Sequence, residues 1–249
     1  MRVLIAGESW TIHSIHQKGY DSFTTTDYAE GVEWLRKALL SHGHTVDYQP
    51  AHVASRNFPG TSEELAEYDC VILSDIGANT LLLHPDTFTR SEILPNRLTA
   101  LQEYVLQGGG LVMIGGYMTF QGIDGKARYR DTPVEQVLPV RMRTGDDRIE
   151  APQGLVTKVE MRSHEIVRDI EGVWPLLLGL NAVDPGADAD VVATAGAFPL
   201  LLAGQFGKGR SVAFTSDCAP HWAPPAFVAW KHYARLWNQI AVWSAGKGK

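Results

Sequence analysis

Short apolar runs closed by glycine recur along this chain, separated by stretches with helical spacing of apolar positions. Residues 2–7, RVLIAG, are apolar and end in glycine, the pattern of a strand buried on both faces. The polar and aromatic stretch from Glu8 to about Thr25 reads as a loop. Asp27 stands where a helix cap belongs, and Val32, Leu35, Ala38 and Leu39 then recur at helical spacing until Gly43. Thr45–Tyr48 predicts a second strand. Ser62 is placed to cap a short helix over Glu63–Tyr68, with acids in its first turn to suit the helix dipole. Cys70–Leu73 is a third buried strand. An amphipathic helix over Arg97–Gln107 stops at three glycines, and Leu111–Ile114 is a fourth buried strand ending in Gly115 and Gly116.

This β-α-β-α-β-α-β order predicts parallel strands joined by right-handed crossovers. Residues 139–200 hold turns and short β-like runs, Val156–Met161 and Val191–Ala195 among them, and read as strands added to the same sheet. Leu200–Gln205 and Arg210–Thr215 flank Phe206-Gly207-Lys208-Gly209, the signature of an antiparallel hairpin. Phe227–Ala245 closes the chain as an aromatic-rich helix. With no internal repeat or linker, the expectation is one α/β domain over residues 1–249, built on a mostly parallel sheet with an appended antiparallel C-terminal hairpin.

Composition narrows the function classes. The 249 residues are 45% hydrophobic and 20% charged with a net charge of -6, and no basic stripe exists, which argues against a nucleic-acid partner. No apolar run is long enough to span a bilayer, so no membrane partner is expected. The N-terminal apolar core, Val3 to Ala6, is too short for a secretory signal and is followed by Glu8, so it reads as a strand. Two cysteines, Cys70 and Cys218, are too few for a disulfide framework, and a cytoplasmic location is expected.

In an open α/β sheet, ligands bind outside the carboxyl ends of the strands. Four segments qualify, and each has a plain structural reading beside the chemical one. After the first strand come Glu8, Trp10, His13 and His16; the two histidines, sharing a helical turn, would suit a metal with Glu8 or Asp21, or would simply bond to backbone. SDIGANT supplies Asp75 and Asn79, either to a ligand or to their own turn. IGGYMTFQGIDGKARY offers Tyr117, Phe120 and Gln121 among glycines that admit close backbone approach, but it is neither a Walker nor a dinucleotide fingerprint. TSDCAPHWAPP gathers Asp217, Cys218, His221 and Trp222, with Cys218 either a nucleophile beside His221 or a small buried filler.

GESW, GYDSF, SDIGANT, GGYMTFQGIDGKARY and TSDCAPHWAPP together resemble the class I glutamine amidotransferase-like superfamily. The likeness is to its branch of putative glutamine amidotransferases near the trehalose-utilisation-type proteins, and it covers nearly the whole chain. It implies a flavodoxin-like three-layer fold. It also implies a cysteine nucleophile in a glycine-flanked elbow, with a histidine and a glutamate after a later strand. Here the elbow strand matches Leu111–Ile114, and Gly115, Gly116, Tyr117, Met118 and Thr119 follow without a cysteine. His221 matches the histidine loosely, and Ala223 stands at the glutamate position. A thiolate must attack the glutamine amide, so glutaminase activity is not expected.

The preferred expectation is a crevice that binds or transforms a small polar metabolite, a sugar or polyol, without metal or cofactor. His221 would act as acid/base, oriented by Asp217 or Glu8. Trp10, His13, His16, Asp75, Asn79, Tyr117, Phe120, Gln121 and Trp222 would contact the ligand. A second reading is a metal-dependent hydrolase or isomerase using His13, His16 and His221. A third is a non-catalytic binding or assembly protein, a homo-oligomer whose C-terminal helix, with Trp230, Tyr233, Trp237 and Trp243, forms either an interface or core.

Overall fold

Strands buried on both faces need helices above and below them, and this chain supplies both. A computed structural model describes residues 1–247. β1 (Arg2–Gly7) leads into a ribbon of β2 (Ser9–Lys18) and β3 (Asp21–Glu30). Then follow α1 (Glu33–Ser41), β4 (Thr45–Gln49), α2 (Ala51–Asn57), α3 (Ser62–Leu65), β5 (Cys70–Ser74), α4 (Ala78–Leu82), α5 (Pro85–Arg90), α6 (Arg97–Gln107) and β6 (Gly110–Ile114). The second half holds β7 (Val140–Met142), β8 (Arg148–Leu155), β9 (Thr157–Val159), β10 (Leu177–Asn181), β11 (Val183–Pro185), β12 (Asp190–Ala195), β13 (Phe198–Phe206) and β14 (Gly209–Phe214). Two helices, α7 (Pro225–Val228) and α8 (Tyr233–Ser244), end the chain.

The main sheet runs β4-β1-β5-β6-β14-β13-β12-β9. Its first five strands are parallel to their neighbours, and the last three join antiparallel. Alternation along β1 divides the core. Val3 and Ile5 join Ile72, Val112, Leu35, Leu39, Trp237 and Ile240 on one face, while Leu4 and Ala6 join Val71, Met113, Leu65, Leu101 and Tyr104 on the other. Helices α1 and α8 therefore cover one side and α3 and α6 the other, giving three layers. Each fully buried Leu or Ile contributes roughly 1.5–3 kcal/mol over the exposed state. Counted among the parallel strands alone, the order is second, first, third, fourth, fifth, the flavodoxin-like arrangement. Its direction reverses between β1 and β5, and the carboxyl ends of those two strands flank the crevice such a reversal creates.

Several local expectations are corrected. The stretch after β1 is an antiparallel ribbon rather than a loop, with Ser9 opposite Glu30 and Lys18 opposite Asp21. Asp27 lies inside β3, and α1 begins at Glu33 without a side-chain cap. Thr61, rather than Ser62, caps α3 by accepting the Glu64 N–H at 3.3 Å. Of the strands between residues 139 and 200, β9 and β12 extend the main sheet, whereas β8 with β10 and β7 with β11 form ribbons of their own. The final helix is split, because Pro224 and Pro225 start a separate short turn. Its aromatic residues join the core: Tyr233 and Trp237 are buried, and the partly buried Trp230 and Trp243 pack against the same cluster.

Candidate functional site

The site begins where β1 and β5 run closest. Gly7 has φ +105, and a Cβ there would lie 2.0 Å from the Ser74 carbonyl oxygen, so only glycine lets the two strand ends meet. Glu8 follows at φ 49, an uncommon left-handed conformation for a side-chain-bearing residue, and is buried. Its N–H donates to Ser74 O at 2.7 Å, and Gly31 N–H donates to Glu8 O at 2.9 Å. The Ser74 hydroxyl donates to Glu8 Oε2. Cys218 Sγ lies 3.7 Å from Glu8 Oε2 and 3.7 Å from Ser74 Oγ.

Asp75 turns inward after β5, also left-handed at φ 45, and its Oδ1 accepts the Met118 N–H at 2.7 Å. After β14, Asp217 Oδ1 accepts the Ala219 N–H at 3.0 Å, while Asp217 Oδ2 faces His221 Nδ1 at 3.6 Å. Glu8, Trp10, Asp75, Tyr117, Asp217 and His221 line one cavity of about 560 Å³.

Burial sets the protonation states. It raises the Glu8 carboxyl well above its usual range, and neighbouring Asp217 and Asp75 push the same way. Burial likewise carries Asp75 up to about 6. The Asp217 carboxylate raises the His221 imidazole. Burial, with Glu8 and Asp217 adding to it, holds the Cys218 thiol protonated well above the ordinary thiol range. The crevice thus holds a carboxyl biased towards its neutral form, an imidazole biased towards its charged form beside Asp217, and a thiol biased towards its protonated form.

An aromatic wall holds the imidazole in place. Tyr117 meets His221 edge-on at 4.5 Å between ring centres, and Trp222 stacks against it at 5.2 Å. Glu150 on β8 accepts from both the Tyr117 hydroxyl and the Trp222 indole N–H, each at 3.0 Å. The Arg148 guanidinium lies 4.6 Å from the Tyr117 ring centre. Beneath, buried Asn181 accepts the Gly116 N–H at 3.0 Å and donates to the Gly116 carbonyl at 3.2 Å, fixing the glycine turn after β6. Glu150 and Asn181 escaped sequence reasoning, since neither follows a strand of the parallel half.

The other expected residues lie elsewhere. His13 and His16, three apart on a strand, point to opposite faces of the ribbon. His13 hydrogen-bonds with Thr26 Oγ1 at 2.9 Å, and His16 with Thr25 Oγ1 at 3.1 Å while stacking on Phe23. They cannot share one metal, so the His13–His16–His221 centre is not assembled. Among the described residues, metal-ligating atoms gather only at Glu8, Asp217 and Cys218, within 4.8 Å of one another and all buried. Asn79 and Gln121 border a separate hollow of about 820 Å³ beside Lys126 and Arg128. That hollow is larger, but the strongly shifted carboxyls and the imidazole belong to the other cavity, which is therefore the candidate site. Phe120 is fully buried core. Trp222 is buried behind His221 and acts as support rather than lining.

A family model described as "Putative glutamine amidotransferase" matches residues 2–245. "Cytoplasmic Protein STM3548 from Salmonella typhimurium" is similar at 45% identity and TM-score 0.95, over 98% of this chain and 99% of that one. "Cytoplasmic Protein STM1381" from Salmonella typhimurium LT2 is similar at 44% identity and TM-score 0.95, over 98% and 99%. A ThuA-like protein from Parabacteroides merdae shares the fold at 14% identity and TM-score 0.58, over 98% of this chain and 89% of that one. No curated protein matches.

Proposed function

We propose, starting from the fact that this chain belongs to the family described as "Putative glutamine amidotransferase", that its crevice binds and transforms a small neutral polar metabolite of the sugar or polyol class and does not hydrolyse glutamine. The observation that carries the reading is the Asp217–His221 pair at 3.6 Å, opening on the cavity that Glu8 and Asp75 also line. In it His221 takes and returns a proton, Asp217 orients the ring and stabilises its charged form, and Glu8 offers a second proton-bearing group. Trp10 and Tyr117 supply flat apolar faces for the C–H side of a sugar, and the carboxyls supply hydrogen bonds to hydroxyls. Among the described residues, no lysine or arginine lines the cavity, which disfavours a phosphorylated or acidic ligand.

The thiols support the second half of the proposal. Gly115, Gly116 and Tyr117 after β6 offer no nucleophile. Cys70 opens β5 at the end away from the crevice, and the Cys218 thiol is held protonated by burial. The two Salmonella relatives are cytoplasmic proteins by name, which supports a cytoplasmic place for this chain. Ammonia release from glutamine, run beside a thermal-shift panel of neutral sugars, polyols and their phosphorylated counterparts, tests both halves. The expected result is no ammonia and stabilisation by a neutral compound. Ammonia release abolished by Cys218→Ser would overturn the reading.

A further inference from the structure

Ten-residue strands β2 and β3 leave the body as a ribbon that, among the described residues, pairs only with itself. Its base is tied down: Ala51 N–H donates to Ser9 Oγ at 2.8 Å, and Tyr28 meets His52 edge-on at 5.4 Å. Beyond the base almost every side chain is exposed. A two-stranded hairpin alone is marginally stable in water, and unpaired edges without proline invite another chain.

The register sorts the side chains. One face carries Trp10, Ile12, His16 and Lys18 from β2 with Phe23 and Asp27 from β3; Asp21 lies opposite Lys18 on that face. Ile15 and Tyr28 point to the other. On the first face the apolar Ile12 is 41% exposed and Phe23 49%. Charge is segregated by strand: β2 holds Lys18 and two histidines without an acid, and β3 holds Asp21, Asp27 and Glu30 without a base.

We propose that this ribbon is a dimerisation arm whose Ile12–Phe23 face packs against the same face of a second copy of this chain. A two-fold axis running along the arms sets β2 of each copy over β3 of the other, with Lys18 over the second copy's Asp21, and brings Ile12 beside Ile12 and Phe23 beside Phe23 across the axis. A surface with both halves of that complementarity on one arm recognises itself. The arm supplies only part of the area a stable dimer needs. Ten residues at ~3.3 Å each and two strands ~4.8 Å apart give a face of roughly 330 Å². A stable interface needs ~800 Å² per partner, so the contact continues onto the body. Trp10 provides the continuity, since it belongs both to this face and to the wall of the crevice. The dimer thus borders the crevice mouth. The inference rests on the ribbon and not on the chemistry proposed for the site.

Sedimentation equilibrium of the full chain at micromolar concentration tests it. The wild type is expected at twice the 27.4 kDa chain mass, with association weakened by high salt. Ile12→Asp and Phe23→Asp, both on an arm outside the core, are expected to weaken association at least ~10-fold. Ile15→Asp, on the opposite face, is expected to leave it unchanged. A wild type of one chain mass, an assembly unaltered by Ile12→Asp and Phe23→Asp, or dissociation equally by Ile15→Asp would each overturn the proposal.

Discussion

His221 Nδ1 lies 3.6 Å from Asp217 Oδ2, four residues along the loop that follows β14. The carboxylate raises the imidazole above its ordinary value, against the opposing effect of burial. Removing it in Asp217→Asn should bring the His221 titration midpoint down from that of the wild type. Two-dimensional NMR of the histidine ring protons reads this without a substrate. An unchanged midpoint would mean that the pair does not form in solution. The sign for stability follows: a raised imidazole favours the fold below its unfolded value, and that contribution is lost as pH rises through the folded one.

Glu8 makes the opposite prediction. Its raised pKa means that the fold prefers the neutral carboxyl, so stability declines as pH rises above the unfolded value of about 4.3. Asp75, raised to about 6, adds to that decline up to its own midpoint. Glu8→Gln keeps the shape without the charge and should match or exceed the wild-type Tm at pH 8. Glu8→Ala strands the Ser74 hydroxyl beside a void and should cost ~2–4 kcal/mol, a fall in Tm of roughly 5–15 °C. Glutamine proving as damaging as alanine would show that the ionised carboxylate is required.

Glu150 carries the aromatic wall, accepting from Tyr117 and Trp222. Glu150→Ala should cost about 1–2 kcal/mol, alter the near-ultraviolet circular dichroism, and weaken ligand binding ~5–20-fold through misplaced Tyr117 and His221. Glu150→Gln, still an acceptor, should restore most of the loss. Equal damage from both variants would argue that charge, rather than the shared acceptor, matters.

Gly7 and Gly43 both adopt positive φ, but only Gly7 is crowded by backbone. Gly7→Ala should prevent soluble folding, because its Cβ would drive β1 and β5 apart. Gly43→Ala, in open space, should cost only about 1 kcal/mol. Comparing the soluble yield and Tm of the two variants checks this.

The parallel half of the sheet was legible because its strands are buried on both faces and so appear as continuous apolar runs. α6 was read at its observed bounds, Arg97–Gln107, from helical spacing closed by glycines. The β2–β3 ribbon was not legible. It has no core face, so polar and apolar residues fall on both sides and neither strand shows alternation. The same blindness misplaced His13 and His16, whose three-residue spacing unites them on a helix and separates them on a strand. The strand-end rule found Glu8, Asp75, Tyr117, Asp217 and His221, all of which line the cavity. It also pointed to Phe120, but a left-handed turn at φ 53 folds that ring into the core. Glu150 reaches the site from β8, so only long-range pairing reveals it.

Calorimetric titration of neutral sugars and polyols into the wild type, Tyr117→Ala and Asp217→Asn decides whether the crevice takes such a ligand. Saturable binding of at least one such compound is expected, one molecule per chain. Affinity should fall by ~10-fold or more in Tyr117→Ala, from the lost aromatic face and hydrogen-bonding network, and by a similar factor in Asp217→Asn. No neutral sugar or polyol binding at millimolar concentration, or binding untouched by both substitutions, would contradict the sugar or polyol reading.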